Sequence, residues 1–186
     1  MKTLKISHSI ISQWKMGGYE EAVGMYLGKS LPATPAMELG SLYDKKWEKH
    51  ILKTGELPDE LGGGKLTNPR VQIKYQLRIP FNEEYEILLR GLPDLIEDNM
   101  ITDFKCGRTD ATSYLDKMQL DYYSLFKPEV TIGRYICYNP YRNTKTIGIK
   151  FLSEKNRENA LNEIQTYSAE LLQYLLANKL FVDFKE

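Results

Sequence analysis

The alternation of apolar and polar positions divides the chain into helix-like and strand-like stretches. In Ile6–Trp14, the residues Ile10, Ile11 and Trp14 form one apolar stripe, and Ser7 or Ser9 stands where a cap belongs; this predicts a helix start. Leu31-Pro32-Ala33-Thr34-Pro35 reads as a loop. Ala36 to Leu52 fits a second helix, with Leu39, Leu42, Tyr43, Trp47 and Ile51 on its inner face. Thr54 to Arg70, which contains Gly62-Gly63-Gly64, reads as a flexible surface loop, with a mobile flap over a substrate groove as the sharper alternative.

Strand character runs from Val71 to Ile79, from Glu86 to Glu97 and from Met100 to Lys105. A helix from Ala111 to Phe126 follows, then strands near Val130–Tyr138 and Thr144–Phe151. The last helix is amphipathic, with Leu161, Ile164, Leu171, Leu172 and Leu175 on one side. No internal repeat or low-complexity tract breaks this order. Helix, β-meander, helix, β-hairpin and helix predict one α/β domain over residues 1–186, a mixed central sheet flanked by helices.

Composition narrows the function. A chain of 186 residues can bury a core without disulfide or metal staples. Its 25 basic and 25 acidic side chains cancel, so any contact with nucleic acid must come from a local basic groove rather than from overall charge. The two cysteines, Cys106 and Cys137, argue against a disulfide framework and fall short of a four-cysteine zinc or iron–sulfur site. Two histidines are too few for a histidine-rich metal centre. Thirteen tyrosines suit semi-exposed clefts, because each pairs an apolar ring with a polar tip. No apolar run approaches a membrane span and no signal core opens the chain, so a cytoplasmic protein off the membrane is expected.

The chemistry concentrates between Arg90 and Lys105. Two apolar-rich strands flank Asp98-Asn99, a pair suited to the positive φ of a tight hairpin turn. With those residues as the loop, Glu97 pairs with Met100, and counting back sets Asp94 opposite Asp103. Opposed side chains share a face, with Cβ atoms about 5 Å apart. Lys105, two residues beyond Asp103, projects from that same face. Two carboxylates so close repel unless a cation or proton lies between them, and a hard divalent cation such as Mg²⁺ satisfies both. Lys105 can then face a water or a phosphate oxygen, with cation and neighbouring charge lowering its pKa. Hydrolysis of a phosphodiester fits this set. Singly, each piece has a plainer reading: Asp94 as a turn carboxylate after Pro93, Asp103 with Lys105 as a surface ion pair. Together they point to a site.

In these motifs the sequence resembles the PD-(D/E)xK nuclease superfamily, in its RecB-like and lambda-exonuclease-like branch. Gly91-Leu92-Pro93-Asp94 is similar to the family's G-x-x-D strand, and Ile101-Thr102-Asp103-Phe104-Lys105-Cys106-Gly107 to its h-x-D-[FY]-K-[TS]-G strand. Gln119-Leu120-Asp121-Tyr122-Tyr123 resembles the Q-x-x-x-Y helix motif, and Ile6-Ser7-His8-Ser9 the serine-rich opening. The resemblance implies a restriction-endonuclease-like core. It also implies Asp94, Asp103 and the Phe104 carbonyl as ligands of Mg²⁺ or Mn²⁺, and Lys105 as the catalytic lysine. Gln119 and Tyr123 would position the lysine, the water or the DNA backbone; their plainer reading is a satisfied polar pair on a packed helix.

Two departures matter. Relatives often place a metal-binding histidine four residues after a helix glycine; here Gly40 is followed by Asp44, which could supply a third carboxylate from a glycine-thinned face. The plainer reading of Asp44 is a solvated residue beside Lys45 and Lys46, and Glu38 and Glu48 are the reserves. CRISPR-associated and helicase-linked relatives often carry an iron–sulfur cluster, whose Cys-Pro is replaced here by Lys15-Met16-Gly17-Gly18, so no cluster is expected. Cys106 replaces the usual Thr or Ser and reads as a packing residue.

The expected function is thus a Mg²⁺- or Mn²⁺-dependent deoxyribonuclease, an exonuclease of recombination, repair, or phage or mobile-element replication. DNA is the expected partner, with a recombination or replication protein as a candidate second partner, and nothing in the sequence demands an oligomer. A non-catalytic DNA-binding or protein-interaction module on a nuclease-like fold is the alternative, and a hydrolase of RNA or another phosphodiester is the third. Lys65, Arg70, Arg78, Arg90 and Arg108 are candidate phosphate contacts.

Overall fold

The computed structural model describes residues 1–30 and 32–184; Leu31 of the expected loop lies outside them. Packing separates two units, Met1–Pro32 with Tyr75–Gly91 and Lys155–Glu186, and Ala33–Lys74 with Leu92–Glu154.

In the first unit, strand β1 (Lys2–Ser7) precedes the expected helix. Its Lys-Thr-Leu-Lys-Ile-Ser alternation buries Leu4 and Ile6, but the stretch is short and runs straight into the helix cap. Helix α1 (His8–Lys15) is capped by Ser7, whose Oγ accepts the Ile10 N–H at 3.4 Å. Helix α2 (Tyr19–Tyr26) follows. The remaining strands of this unit are β3 (Tyr75–Pro80) and β4 (Tyr85–Gly91), in the order β1-β4-β3, with β1 parallel to β4. Helix α5 (Glu154–Ala177) buries Ile164, Leu171, Leu172 and Leu175, and Glu170 accepts the Trp14 indole N–H at 3.0 Å.

The second unit is built on helix α3 (Pro35–Thr54) and a five-stranded sheet. Thr34 caps α3, Pro35 opens it and Gly55 ends it in the left-handed region. Tyr43, Trp47 and Ile51, spaced four apart, pack on Leu57, Leu61, Phe104 and Tyr138. Leu42 is 64% exposed and Leu39 only half-buried, so the inner face is narrower than the sequence pattern suggests. Each residue turns about 100° around a helix, and Leu42 sits one step off the packed stripe. The segment Thr54–Arg70 is no flap. Leu57 and Leu61 are buried in the same core, and backbone bonds from Leu57 to Gly64 and from Leu66 to Gly55 close the loop on itself. Its glycines serve geometry, because Gly62, Gly63 and Gly64 all adopt positive φ.

The sheet runs β2 (Arg70–Val71), β5 (Leu95–Glu97), β6 (Met100–Cys106), β7 (Ile132–Asn139), β8 (Thr144–Phe151), with β6 and β7 parallel and the other pairs antiparallel. Two expected strands are each divided. The first breaks after Val71, where Gln72 takes φ +50°; the second breaks at Pro93, which has no N–H for a ladder. The expected helix over Ala111–Phe126 is also divided, into a 3₁₀ turn at Ala111–Tyr114 and helix α4 (Gln119–Ser124). Helix α4 packs on β6 and β7. Gly133 makes room for it: a Cβ there would lie 2.8 Å from Leu120 Cδ1. Among the described residues no helix is long and apolar enough to cross a membrane.

Candidate active site

The β5–β6 hairpin has the register read from the sequence. Glu97 pairs with Met100, Ile96 with Ile101 and Leu95 with Thr102. The ladder stops there. Asp94 occupies the next place, opposite Asp103, but its carboxylate takes over from the main chain: Oδ2 accepts the Phe104 N–H at 2.8 Å. In a strand the N–H and C=O of one residue point to the same side, so the Phe104 carbonyl also faces the place where β5 has ended.

Around Asp103 the structure assembles a polar network in which Oδ2 has an ion pair but no hydrogen bond. Asp103 is buried, and its Oδ2 pairs with the Lys105 ammonium at 2.6 Å, while Oδ1 accepts from the Gln119 amide at 2.8 Å. The Gln119 carbonyl oxygen accepts from Lys105 at 3.1 Å, and its amide also donates to the Tyr123 hydroxyl at 3.0 Å. Gln119 and Tyr123 lie one turn apart on α4, so both reach the same strand. Asp103, Lys105, Gln119 and Tyr123, four of the five expected side chains, therefore meet in one network, and Asp94 is tied to it through the Phe104 N–H.

Two participants were not legible in the sequence. Gln72 donates from its side chain to Asp94 Oδ1 at 2.8 Å, and its backbone N–H reaches the Asp94 carbonyl at 3.2 Å. It looks like one more strand residue, and no motif marks it. Tyr114 places its ring centroid 5.7 Å from Lys105 Nζ, a cation–π contact from the 3₁₀ turn.

Charge is compressed in this site. Burial, then the Asp103 charge, with Asp44 adding, push Asp94 up to about 8 against the pull of the Phe104 N–H. Asp44, half-buried on α3, rises to about 6 through burial and Asp103. Asp103 is raised by burial, with Lys105 opposing. Burial alone would lower Lys105, but Asp103 and Asp94 outweigh it and hold the amine above its usual value. The lowering anticipated for Lys105 depends on an added cation; the carboxylates by themselves do the reverse. Tyr123 is raised, by burial and by Asp103.

The other expected residues are scattered. Asp44 feels both Asp103 and Lys105, but the space beside Gly40 is open, so that glycine supports no close approach among the described residues. Glu38, in the first turn of α3, and Glu48 add no hydrogen bond or ion pair to the network among the described residues. Lys65, Arg70 and Arg108 belong to the unit that carries the site, whereas Arg78, paired with Glu86, and Arg90 belong to the other. Among the described residues no three His, Cys, Asp or Glu side chains stand close enough together to hold a metal ion. Instead the Asp94 and Asp103 oxygens are engaged by Gln72, Phe104, Gln119 and Lys105.

No protein-family model matches the sequence, and no curated protein matches it. Solved structures share its fold. An alkaline exonuclease from Laribacter hongkongensis superposes with a TM-score of 0.53 at 14% identity, over 94% of this chain and 91% of that one. The same exonuclease in complex with dAMP gives a TM-score of 0.57 at 13% identity, over 94% and 91%. A candidate exonuclease from Eubacterium rectale gives 0.61 at 12% identity, over 96% of this chain and 83% of that one. A phage-related exonuclease from Haemophilus somnus gives 0.52 at 12%, over 88% and 82%. The chain has the mixed α/β fold of these exonuclease structures, which is the fold the motif resemblance implied.

Proposed function

We propose that this chain is a metal-dependent deoxyribonuclease that hydrolyses DNA phosphodiester bonds, acting as an exonuclease in recombination, repair, or phage or mobile-element replication. The observation that carries this reading is the partly buried Asp103–Lys105–Gln119–Tyr123 network with Asp94 set opposite by the hairpin register. Its occurrence on a fold shared with exonucleases adds support.

Asp94, Asp103 and the Phe104 carbonyl would hold Mg²⁺ or Mn²⁺, and Asp44, which feels the Asp103 charge, would join them only by a shift of its side chain, since no three such side chains stand close enough together among the described residues. An all-oxygen donor set suits a hard cation, and carboxylates raised by burial and mutual repulsion stand to gain most from one. When bound, the cation would polarise the phosphate and acidify a water. The chain's own groups supply the rest. Lys105, kept protonated by Asp103, would offset negative charge growing on the phosphate oxygens. Gln119 holds Lys105 and Asp103 in one geometry, Tyr123 orients the Gln119 amide, and Gln72 with the Phe104 N–H fixes Asp94.

The test is incubation of the pure protein with linear, circular and single-stranded DNA in Mg²⁺, Mn²⁺ or EDTA, beside Asp103→Ala and Lys105→Ala. Linear DNA should be degraded only with metal, closed circles should survive, and each substitution should lower the rate by about a hundredfold or more. Cleavage that persists in both variants would remove the assignment from these residues. Absence of cleavage on every substrate would leave a DNA-binding module on a nuclease fold.

A further inference from the structure

Beyond Lys105 the chain leaves β6 and enters a second basic feature of the same unit. Arg108, Asn139, Tyr141 and Arg142 line a cleft of about 360 Å³. Among the described residues no carboxylate lines it and neither arginine forms an ion pair. The Arg108 guanidinium lies over the Tyr141 ring, 4.9 Å from its centroid, which orients the fork before any ligand arrives. Asn139 Oδ1 accepts the backbone N–H groups of Tyr141 and Arg142 at 3.1 and 3.3 Å, fixing the β7–β8 turn that presents Arg142.

The register ties this cleft to the candidate active site. Cys106 pairs with Tyr138, and the Gly107 N–H reaches the Tyr138 carbonyl at 3.0 Å, so the strand that carries Lys105 delivers Arg108 beside the end of β7. Arg108 stands three positions beyond Lys105, so their Cα atoms are at most ~11 Å apart. That is roughly three steps of a DNA strand at ~3.4 Å axial rise per nucleotide.

We propose that this cleft is a docking site for backbone phosphate of the DNA strand, next to the phosphate that is cleaved; the location of the cleaved phosphate rests on the nuclease reading above. Two unpaired guanidinium forks in one concavity match the bidentate geometry of a phosphodiester. A chain with zero net charge must take its affinity for a polyanion from such a local patch. The contact reads no base; it fixes register along the strand.

The test is fluorescence anisotropy of a labelled linear duplex titrated with wild type, Arg108→Gln/Arg142→Gln and Arg108→Lys/Arg142→Lys, in EDTA and across a KCl series. The glutamine variant should bind about tenfold or more weakly. Its plot of log affinity against log salt should be shallower by about 1.8, the release expected from two phosphates at ~0.9 each. The lysine variant should keep the wild-type slope. A glutamine variant with wild-type affinity and slope overturns the proposal, as does loss of slope in the lysine variant, which would trace the effect to the turn's structure. Wild-type protein that does not bind the duplex overturns it as well. The nuclease reading is judged separately: cleavage with an unchanged slope removes only the phosphate site, and binding through the cleft without cleavage removes only the nuclease.

Discussion

The Asp94 carboxylate accepts the Phe104 backbone N–H at 2.8 Å, one step past the last paired residues of the β5–β6 ladder. A side chain thus does what a strand carbonyl would have done, and the carboxylate is fixed by the strand that carries Asp103. Its other oxygen is held by Gln72 at 2.8 Å.

Gln72→Ala should therefore release one oxygen of Asp94 without disturbing the hairpin. Partners that orient metal ligands commonly contribute 10–100-fold in metal affinity. Titration calorimetry with Mn²⁺ should show a loss of that order, while the thermal midpoint without metal moves little. Wild-type Mn²⁺ affinity in the variant would remove Gln72 from the site.

The acidic cluster sets a pH dependence. Asp94 and Asp44 are raised in the folded chain from 3.8 to about 8 and about 6, so below about pH 4 both states are protonated and this contribution to stability is fully present. As pH rises through the folded values, the buried carboxyls lose protons at a cost the unfolded chain does not bear, and stability falls. Lys105, also raised, stays protonated in both states across this window. Thermal melts without metal should show a midpoint lower at pH 8 than at pH 5. Mg²⁺ should restore it, and Asp94→Asn should flatten the decline. A midpoint that rises over that interval would contradict the assigned charge states.

Gly133 sets the seat of α4. A Cβ there would meet Leu120 Cδ1 at 2.8 Å and Leu120 Cβ at 3.2 Å, and Leu120 is fully buried. Gly133→Ala should destabilise the fold by about 1–3 kcal/mol in urea unfolding. It should also slow cleavage, because Gln119 directly precedes Leu120. Adding Leu120→Ala should recover part of the stability; a single variant as stable as wild type would show that the crowding is relieved elsewhere.

What the sequence disclosed follows from how locally each feature is encoded. The Asp94–Asp103 opposition was legible because a two-residue turn fixes a hairpin's register, and Lys105 followed from strand alternation. Gln119 and Tyr123 were legible as a helical pair, although the helix itself is a short segment after a 3₁₀ turn. Other features depend on distant partners. β1 is a strand because β4 lies parallel beside it, more than seventy residues later. Gln72 reaches Asp94 only because the chain breaks out of β2 at a positive φ, which a glutamine rarely adopts and no pattern announces. The exposed Leu42 and the packed Leu57–Leu61 loop depend on which face of α3 the sheet covers. At Lys105 the two carboxylates foreseen in the sequence hold the amine above its usual value, because burial strengthens their attraction for the ammonium; the lowering expected from a bound cation is a separate effect.

The β5–β6 register also makes the chain intolerant of changes in length. Strand side chains alternate between faces, so one residue inserted at Asp98-Asn99 shifts the pairing by a single place. Asp94 and Asp103 would then project from opposite sides of the sheet, although every residue of the site would still be present. Replacing Asp98 or Asn99 would cost their hydrogen bonds to Asn68 and Thr131 but leave the count of residues intact; gaining or losing one residue there dismantles the carboxylate pair.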